Sequence, residues 1–247
     1  TLSLSSAASD VYKRQIQDYL DYNFHQAFQK IHNYCANDLG GFYLDILKDR
    51  LYTSKQDSDA RRSAQLALSN ILQALLRWIS PILSFTAEEA WQSLDNEIKS
   101  VHLLEWFNDW VEIVDLKFSD EDWKEILELR SEVNKHIEEA RNNEIVGSSL
   151  DAEIEILCGA KLFNLLEEFN EELRFIFITS EAKAILNKID VSDENNKIQI
   201  TVKKSSNEKC VRCWHSRPEV GSIKDNESIC NRCFENVYGE GEVRNFA

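Results

Sequence analysis

The chain has 247 residues, 43% of them hydrophobic, with seven glycines, two prolines and a net charge of −15. That length holds one large domain or two to three small ones. So few turn formers exclude an all-β protein built on tight turns, and the Leu, Ala, Glu, Lys and Arg of the first half favour helices. No apolar run reaches the roughly 20 residues that span a bilayer, and no basic–apolar–small leader stands at the start. The expected setting is cytoplasmic, with no membrane partner.

Thr1 to about Gln15 is Ser/Ala-rich, without a period in its first ten residues, and reads as a non-native or disordered end. The absence of any Met, including at position 1, adds to the reading of the chain as a fragment. From Ile16 the spacing turns helical. Phe24, Phe28, Ile31 and Cys35 share one face, Asn23 is placed to cap them, and Gly40-Gly41 marks a break or a close approach. A second helix carries Phe42, Tyr43, Ile46, Leu47 and Leu51 on one side. Residues 54–58 read as a loop, with Asp57 or Ser58 capping the next helix. In that helix Leu68, Ile71, Leu72, Leu75, Leu76 and Ile79 form an apolar stripe, and Pro81 ends it. Thr86-Ala-Glu-Glu89 has the form of a capping box before Trp91 and Leu94. Residues 16–98 are thus expected to form an antiparallel helical bundle.

Residues 99–202 read as a long helix and a small α+β layer. Ser100–Trp106 is a short strand or extended connector, and Asp115–Asp122 an acidic loop. Trp123, Ile126, Leu127, Val133 and Ile137 then mark a helix running to about Asn142. Ala152, Ile154, Ile156 and Cys158 alternate as a half-buried strand, and Leu162–Phe169 returns to helical spacing. Phe175-Ile-Phe-Ile178 is continuously apolar and fits a buried strand; Ile198, Ile200 and Val202 give another. Cys35 and Cys158, both on apolar faces, are read as core.

Residues 203–247 carry the strongest signal. Cys210-Val-Arg-Cys213 is followed after sixteen residues by Cys230-Asn-Arg-Cys233. Two Cys-x-x-Cys pairs at that spacing fill all four positions of a tetrahedral metal, which describes one structural Zn2+ bound by Cys210, Cys213, Cys230 and Cys233. Paired disulfides, the competing reading, belong to small secreted domains. The expected fold class is therefore mainly α: an antiparallel helical bundle, a small α+β layer and a C-terminal four-cysteine zinc finger. In this reading, metal removal disorders the tail and spares the bundle.

No catalytic residue emerges. The glycines form no phosphate-binding loop, and neither H-E-x-x-H nor G-x-S-x-G occurs. His25, His32, His102 and His136 are scattered, while His215, beside a complete cysteine set, is expected to face solvent or a partner. What remains is binding chemistry. Residues 86–172 hold 24 acidic and 7 basic side chains, whereas residues 45–80 are net +2 and residues 203–247 net +1. A phosphate backbone would be met at those flanks. Arg212, Arg217 and Arg232 suit phosphate through their planar forks, and Trp214 and His215 suit stacking on unpaired bases. Arg50, Arg61, Arg62 and Arg77 offer a second RNA-facing set. Each arginine has an alternative reading as a surface ion pair, and Trp214 one as a cover over the metal.

Phe42-Tyr-Leu-Asp-Ile-Leu-Lys-Asp-Arg50-Leu-Tyr-Thr53, Ala60-Arg-Arg-Ser63 and Trp78-Ile-Ser-Pro-Ile-Leu-Ser-Phe-Thr-Ala-Glu-Glu89 resemble the anticodon-binding helical domain of class I synthetases for branched aliphatic amino acids. The tail from Cys210-Val-Arg-Cys213-Trp-His215 to the terminal Gly-Glu-Gly-Glu-Val-Arg-Asn-Phe-Ala resembles the zinc finger of the bacterial isoleucyl-tRNA synthetase family, and Val133–Ile137 and Leu173–Ile176 fit between. The resemblance covers nearly everything from residue 16 onward. It implies a monomeric parent that joins isoleucine to its tRNA through an aminoacyl adenylate, using ATP and Mg2+ in a catalytic domain that this chain lacks. The family's His-x-Gly-His and Lys-Met-Ser-Lys-Ser motifs are absent here, so no catalytic residue carries over. What is left is a tRNA-holding part, with residues 16–98 as anticodon-binding bundle. Alternatives are the same region of a valyl or leucyl enzyme, a DNA-repair glycosylase with a related finger, and a standalone zinc-ribbon RNA-binding protein.

Overall fold

The computed structural model describes residues 16–94, 98–107, 117–187 and 198–246. The expected non-native end at 1–15, and Asp115 and Leu116 of the expected acidic loop, lie outside the described residues. The fold is mainly helical with one small three-stranded sheet, as expected. It divides into two compact units: one runs to Leu47 and resumes from Arg62 to Lys117, and the other joins Lys48–Arg61 to the chain from Phe118 onward.

The first unit begins with a helical turn at 16–20 and helix α1 (Phe24–Asn33). The buried face of α1 is Ala27 and Ile31, followed by Tyr34; Phe24 and Phe28, expected inside, are 45% and 44% exposed. Asn23 occupies the N-cap position without a side-chain capping bond. Residues Tyr34–Tyr43 continue as a π-helix rather than breaking at the glycines. Its wider turn brings the carbonyl of residue i against residue i+5, so a Cβ at Gly40 would lie 3.1 Å from the Cys35 carbonyl oxygen. Only a residue without a side chain passes there easily. Cys35 itself is half-buried, whereas Cys158 is fully in the core.

Helix α2 (Leu44–Thr53) follows directly, and Ser58 caps helix α3 (Asp59–Ile79) by accepting from the Arg61 amide at 3.3 Å. The buried side of α3 within this unit is Ala64, Ile71, Ala74 and Trp78, which keeps Ile71 of the expected stripe inside and leaves Leu72 38% exposed. The alanines carry little hydropathy signal, yet Ala64 and Ala74 are fully buried. Trp78 has no exposure, and its ring meets Tyr34 edge to face at 6.0 Å. Leu76, on the other side, packs with Ala87, Trp91 and Val101. Ala74→Leu is therefore expected to destabilise by about 1–3 kcal/mol through overpacking, read as a lower denaturant midpoint, with Leu72→Ala having the smaller effect.

Helix α4 (Ser84–Gln92) starts two residues before Thr86, so the expected capping box does not form. The Glu88 carboxylate instead accepts from the Ser100 hydroxyl at 2.9 Å and the Val101 amide at 3.0 Å, fixing a short 3-10 turn at Val101–Leu103.

In the second unit, helix α5 (Asp120–Asn142) is opened by a true capping box between Ser119 and Asp122, inside the stretch expected to be loop. It buries Trp123, Ile126, Leu129, Val133, Ile137 and Ala140. Strand β1 (Ala152–Cys158) alternates buried and half-buried as expected. Helix α6 (Ala160–Glu167) and a 3-10 turn lead to α7 (Leu173–Phe177). The expected strand at Phe175–Ile178 is thus a short buried helix. A continuous apolar run satisfies either structure when both faces are covered, and Ile178 ends this one in the left-handed region at φ 55°. The strand comes next, as β2 (Glu181–Leu186), and β3 (Gln199–Lys204) completes the sheet. β1 is central, parallel to β2 and antiparallel to β3.

Residues 48–61 group with this second unit. Asp49 and Thr53 in that stretch bond to arginines of the cysteine module.

Candidate metal centre and RNA-facing residues

Cys210 and Cys213 bracket a tight turn in which the Trp214 amide donates to the Cys210 carbonyl at 2.9 Å. The second pair stands at the start of helix α8 (Asn231–Tyr238), with Cys230 in the N-cap position and Cys233 in the first turn. All four sulfurs are buried and lie within 4.8 Å of one another, with Cys213 Sγ 3.7 Å from Cys230 Sγ. A zinc ion with Zn–S bonds of about 2.3 Å sets tetrahedral S–S edges of about 3.8 Å. No disulfide is present. The donor set fits a structural zinc with no open position.

The sulfurs already compete for protons. Thiol hydrogen bonds, above all from Cys210, hold Cys213 well below the usual thiol range, and the same crowding pushes Cys230 and Cys233 up. A divalent cation replaces those shared protons and binds all four as thiolates. Two donors offset the resulting charge: the Cys230 amide lies 3.4 Å from Cys210 Sγ, and Arg212 Nη1 lies 3.7 Å from Cys233 Sγ.

Around the cysteines runs a second layer that sequence reasoning missed. Arg232 donates from both terminal nitrogens to the Asp49 carboxylate at 2.6 and 2.8 Å, and Arg244 adds a bond of 2.8 Å. Glu242 accepts from Arg232 at 3.2 Å and from Asn236 at 2.9 Å. Beneath these charges lies the buried ring of Phe175, with the guanidinium carbons of Arg244, Arg174 and Arg232 at 3.6, 4.7 and 5.0 Å from its centroid. Burial alone would push the Asp49 carboxyl up, but Arg232, then Arg244, hold it well below the usual carboxylate range. The terminal residues are strapped down by Glu172, which accepts from the Asn245 and Phe246 amides at 2.7 and 2.8 Å. Phe246 then meets Phe118 and Phe169 edge to face. The glycine-rich tail shows no helical or strand period, so only its likeness to the family's terminal residues hinted that it is structured.

The RNA-facing candidates scatter. Arg62 and Arg77 belong to the first unit; Arg50, Arg61, Arg212, Trp214, His215, Arg217 and Arg232 belong to the second. Arg77 is half-buried, donating to the Gln73 and Glu105 carbonyls and lying over the rings of Trp91 and Phe107. Arg50 is 4% exposed, and Arg232 is consumed by Asp49 and Glu242. Arg212 donates to the Thr53 carbonyl at 2.6 Å, and Arg217 is held between Glu171 and Glu219. Arg61 is half-buried and Arg62 exposed, the latter reaching Gln65 at 3.3 Å. His215, expected to face solvent or a partner, is 4% exposed: its Nδ1 lies 3.2 Å from the Cys213 carbonyl and its ring stands edge-on to Phe175. It is a packing residue under the metal turn. Trp214 alone of the module's candidates projects freely, 62% exposed, from a left-handed backbone at φ 65°.

The chain is a helical unit followed by an α+β unit that closes on four buried cysteines, and known families match both parts. Residues 3–156 match the anticodon-binding domain of tRNA ligase, and residues 207–236 match the zinc finger found in FPG and IleRS. The first match spans well over half of the sequence, and the chain belongs to the family of tRNA-ligase anticodon-binding domains. Among its relatives are the isoleucine–tRNA ligases of Shewanella sp. (strain ANA-3), 46% identical over 238 residues, and of Acinetobacter baylyi, 44% identical over 242 residues. That of Alkalilimnicola ehrlichii is 42% identical over 245 residues. These alignments take in 94%, 97% and 95% of this chain but 25%, 26% and 26% of the relatives, so the chain spans about a quarter of the proteins it matches. Among the described residues, no helix is long and apolar enough to cross a membrane.

Proposed function

We propose that this chain is the tRNA-binding C-terminal part of an isoleucine–tRNA ligase and that it holds the anticodon arm of the isoleucine tRNA. The observation that carries the reading is the pairing, in one chain and in family order, of an anticodon-binding domain with a four-cysteine finger whose sulfurs are preset for zinc. The relatives are isoleucine–tRNA ligases, 42–46% identical across nearly the whole chain, which supports isoleucine as the amino acid. The work of this part is positioning. The parent, monomeric and cytoplasmic, activates isoleucine with ATP and Mg2+ elsewhere, and this part places the tRNA so that its acceptor end reaches that site.

The purified chain is expected to bind its cognate tRNA with an affinity that falls steeply as salt rises, since each neutralised phosphate contributes a slope of roughly −0.7 to −0.9 in log K against log salt. It forms no adenylate. Filter binding across a salt series checks the first statement and pyrophosphate exchange the second. Equal affinity for tRNA and for duplex DNA of the same length, or adenylate made by the chain alone, refutes the reading.

A further inference from the structure

The four sulfurs are not equivalent. Cys210 Sγ accepts from the Cys230 amide at 3.4 Å, and Cys233 Sγ accepts from Arg212 Nη1 at 3.7 Å. A hydrogen bond donated to sulfur stabilises the thiolate and makes it a poorer nucleophile. Cys213 and Cys230 come from different Cys-x-x-Cys pairs, and their sulfurs meet directly at 3.7 Å. Cys213 is also the best placed for a small solute to reach, being 6% exposed where Cys210, Cys230 and Cys233 are 0%, 1% and 0%. Both members of this cross-pair sit beside a bond to the end of α2. Arg212, the residue before Cys213, donates to the Thr53 carbonyl at 2.6 Å. Cys230 is the N-cap of α8, and Arg232, two residues on, holds the Asp49 carboxylate at 2.6 and 2.8 Å.

We propose that Cys213 and Cys230 are the site of a reversible, peroxide-driven disulfide that disarms the metal centre and slackens the end of α2. The oxidant is hydrogen peroxide. The Cys213 thiolate attacks one peroxide oxygen, the O–O bond breaks, and the leaving hydroxide takes a proton to become water. Cys213 is then a sulfenic acid. The Cys230 thiolate attacks its sulfur, the S–S bond forms, the S–O bond breaks, and the departing hydroxide takes a second proton. Two thiolates, one peroxide and two protons thus give one disulfide and two waters, each sulfur having lost one electron. The new bond is about 2.05 Å long, so the two sulfurs close by ~1.7 Å. Cys210 and Cys233 remain, which is half of a tetrahedral donor set and too few for a structural zinc. The same closure draws together the residues beside Arg212 and Arg232, the two arginines that carry the position of the module to Thr53 and Asp49. A thiol reductant reverses the step by exchange. The device stands apart from the tRNA reading, because none of its parts needs RNA.

The test treats the full zinc-loaded chain with hydrogen peroxide, follows free zinc with a chelating dye, and maps disulfides after alkylation and trypsin digestion. The sequence makes the map unambiguous. With Arg217 protected by Pro218, trypsin leaves each of the four cysteines in its own peptide: 210–212, 213–224, 225–232 and 233–244. The expected cross-link joins 213–224 to 225–232, and about one zinc ion is freed per disulfide formed. Hydrogen exchange at residues 48–61 rises with oxidation, and a thiol reductant with added zinc returns it to the starting level. The chain carrying Cys35→Ser and Cys158→Ala releases zinc at the wild-type rate. A first cross-link within either Cys-x-x-Cys pair overturns the proposal, as does zinc loss through sulfinic acid without any disulfide. So does zinc retained after the 213–224 and 225–232 peptides are joined. Exchange at 48–61 that stays at its starting level after zinc is lost overturns the relay to α2. Release that disappears in the Cys35 and Cys158 variant assigns the sensitivity to those thiols instead.

Discussion

Stripping the zinc is expected to unfold residues 203–246 and to loosen residues 48–61 with them, while the helices of the first unit keep their protection. The four thiols are buried with their sulfurs within 4.8 Å of one another, so without a cation one of two penalties applies. Either several thiolates crowd at low dielectric, or protons must be shared across contacts too close for four S–H groups. Structural zinc supplies an apparent 10–16 kcal/mol, about as much as a whole domain's net stability. Among the described residues, the apolar cluster at the cysteines adds only the partly buried Val220 and Ile229. Loss does not stop at the finger, because Arg212 and Arg232 carry its position to Thr53 and Asp49. A reading of the tail as a separable module predicts a confined effect; the bonds extend it to the end of α2. Hydrogen exchange before and after chelation, or in Cys230→Ser, checks this. Full protection of residues 48–61 in the metal-free chain shows that the bonds transmit nothing, and loss of the whole helical signal shows that the units do not respond separately.

Asp49→Asn is expected to destabilise the second unit by about 3–5 kcal/mol, the usual result of removing one partner from a buried charge pair. The side chain of Arg244 is 1% exposed and that of Arg232 10% exposed, so both guanidinium groups remain desolvated after their shared carboxylate is gone. Glu242 offsets part of that charge at 3.2 Å from Arg232. The pH dependence has a fixed sign. The folded carboxyl titrates well below its usual range because of the two arginines. Its contribution is therefore complete above the unfolded pKa of about 3.9. It shrinks as the pH falls below that point toward the depressed folded value. The stability gap between wild type and Asp49→Asn should be constant from pH 7 to about pH 5 and close on further acidification. Metal release in acid acts on both chains, so the gap isolates the carboxyl. Urea midpoints at matched zinc content give the measurement, and a gap that widens in acid assigns the effect to another group.

Sequence alone determined the metal site, because a Cys-x-x-Cys pair fixes two ligands through the chain itself and needs no fold to be read. It also determined the strongly periodic elements: α5 ends at Asn142 where the pattern ends, and β1 alternates from Ala152 to Cys158. Both follow from local rules in which one face of an element is apolar. Where two local rules agreed equally well, tertiary structure decided. Phe175–Ile178 is apolar enough for either a buried strand or a buried helix, and in the folded chain Phe175–Phe177 end a short helix that Ile178 closes in the left-handed region. In α3 the stripe marked one face and the alanines were silent, yet Ala64 and Ala74 are buried along with Ile71 and Leu76, while Leu72 of the stripe is left 38% exposed. Tertiary structure also decided which cations are available. Composition counts charge, and Arg50, Arg77 and Arg232 count toward a basic flank, but folding buried Arg50 and set Arg77 and Arg232 on carbonyl or carboxylate partners. The joining of Asp49 to Arg232 and Arg244, nearly two hundred positions along the chain, has no local signature. A buried ion pair is a property of the place where two distant segments meet, and the sequence records the two ends without recording that they meet.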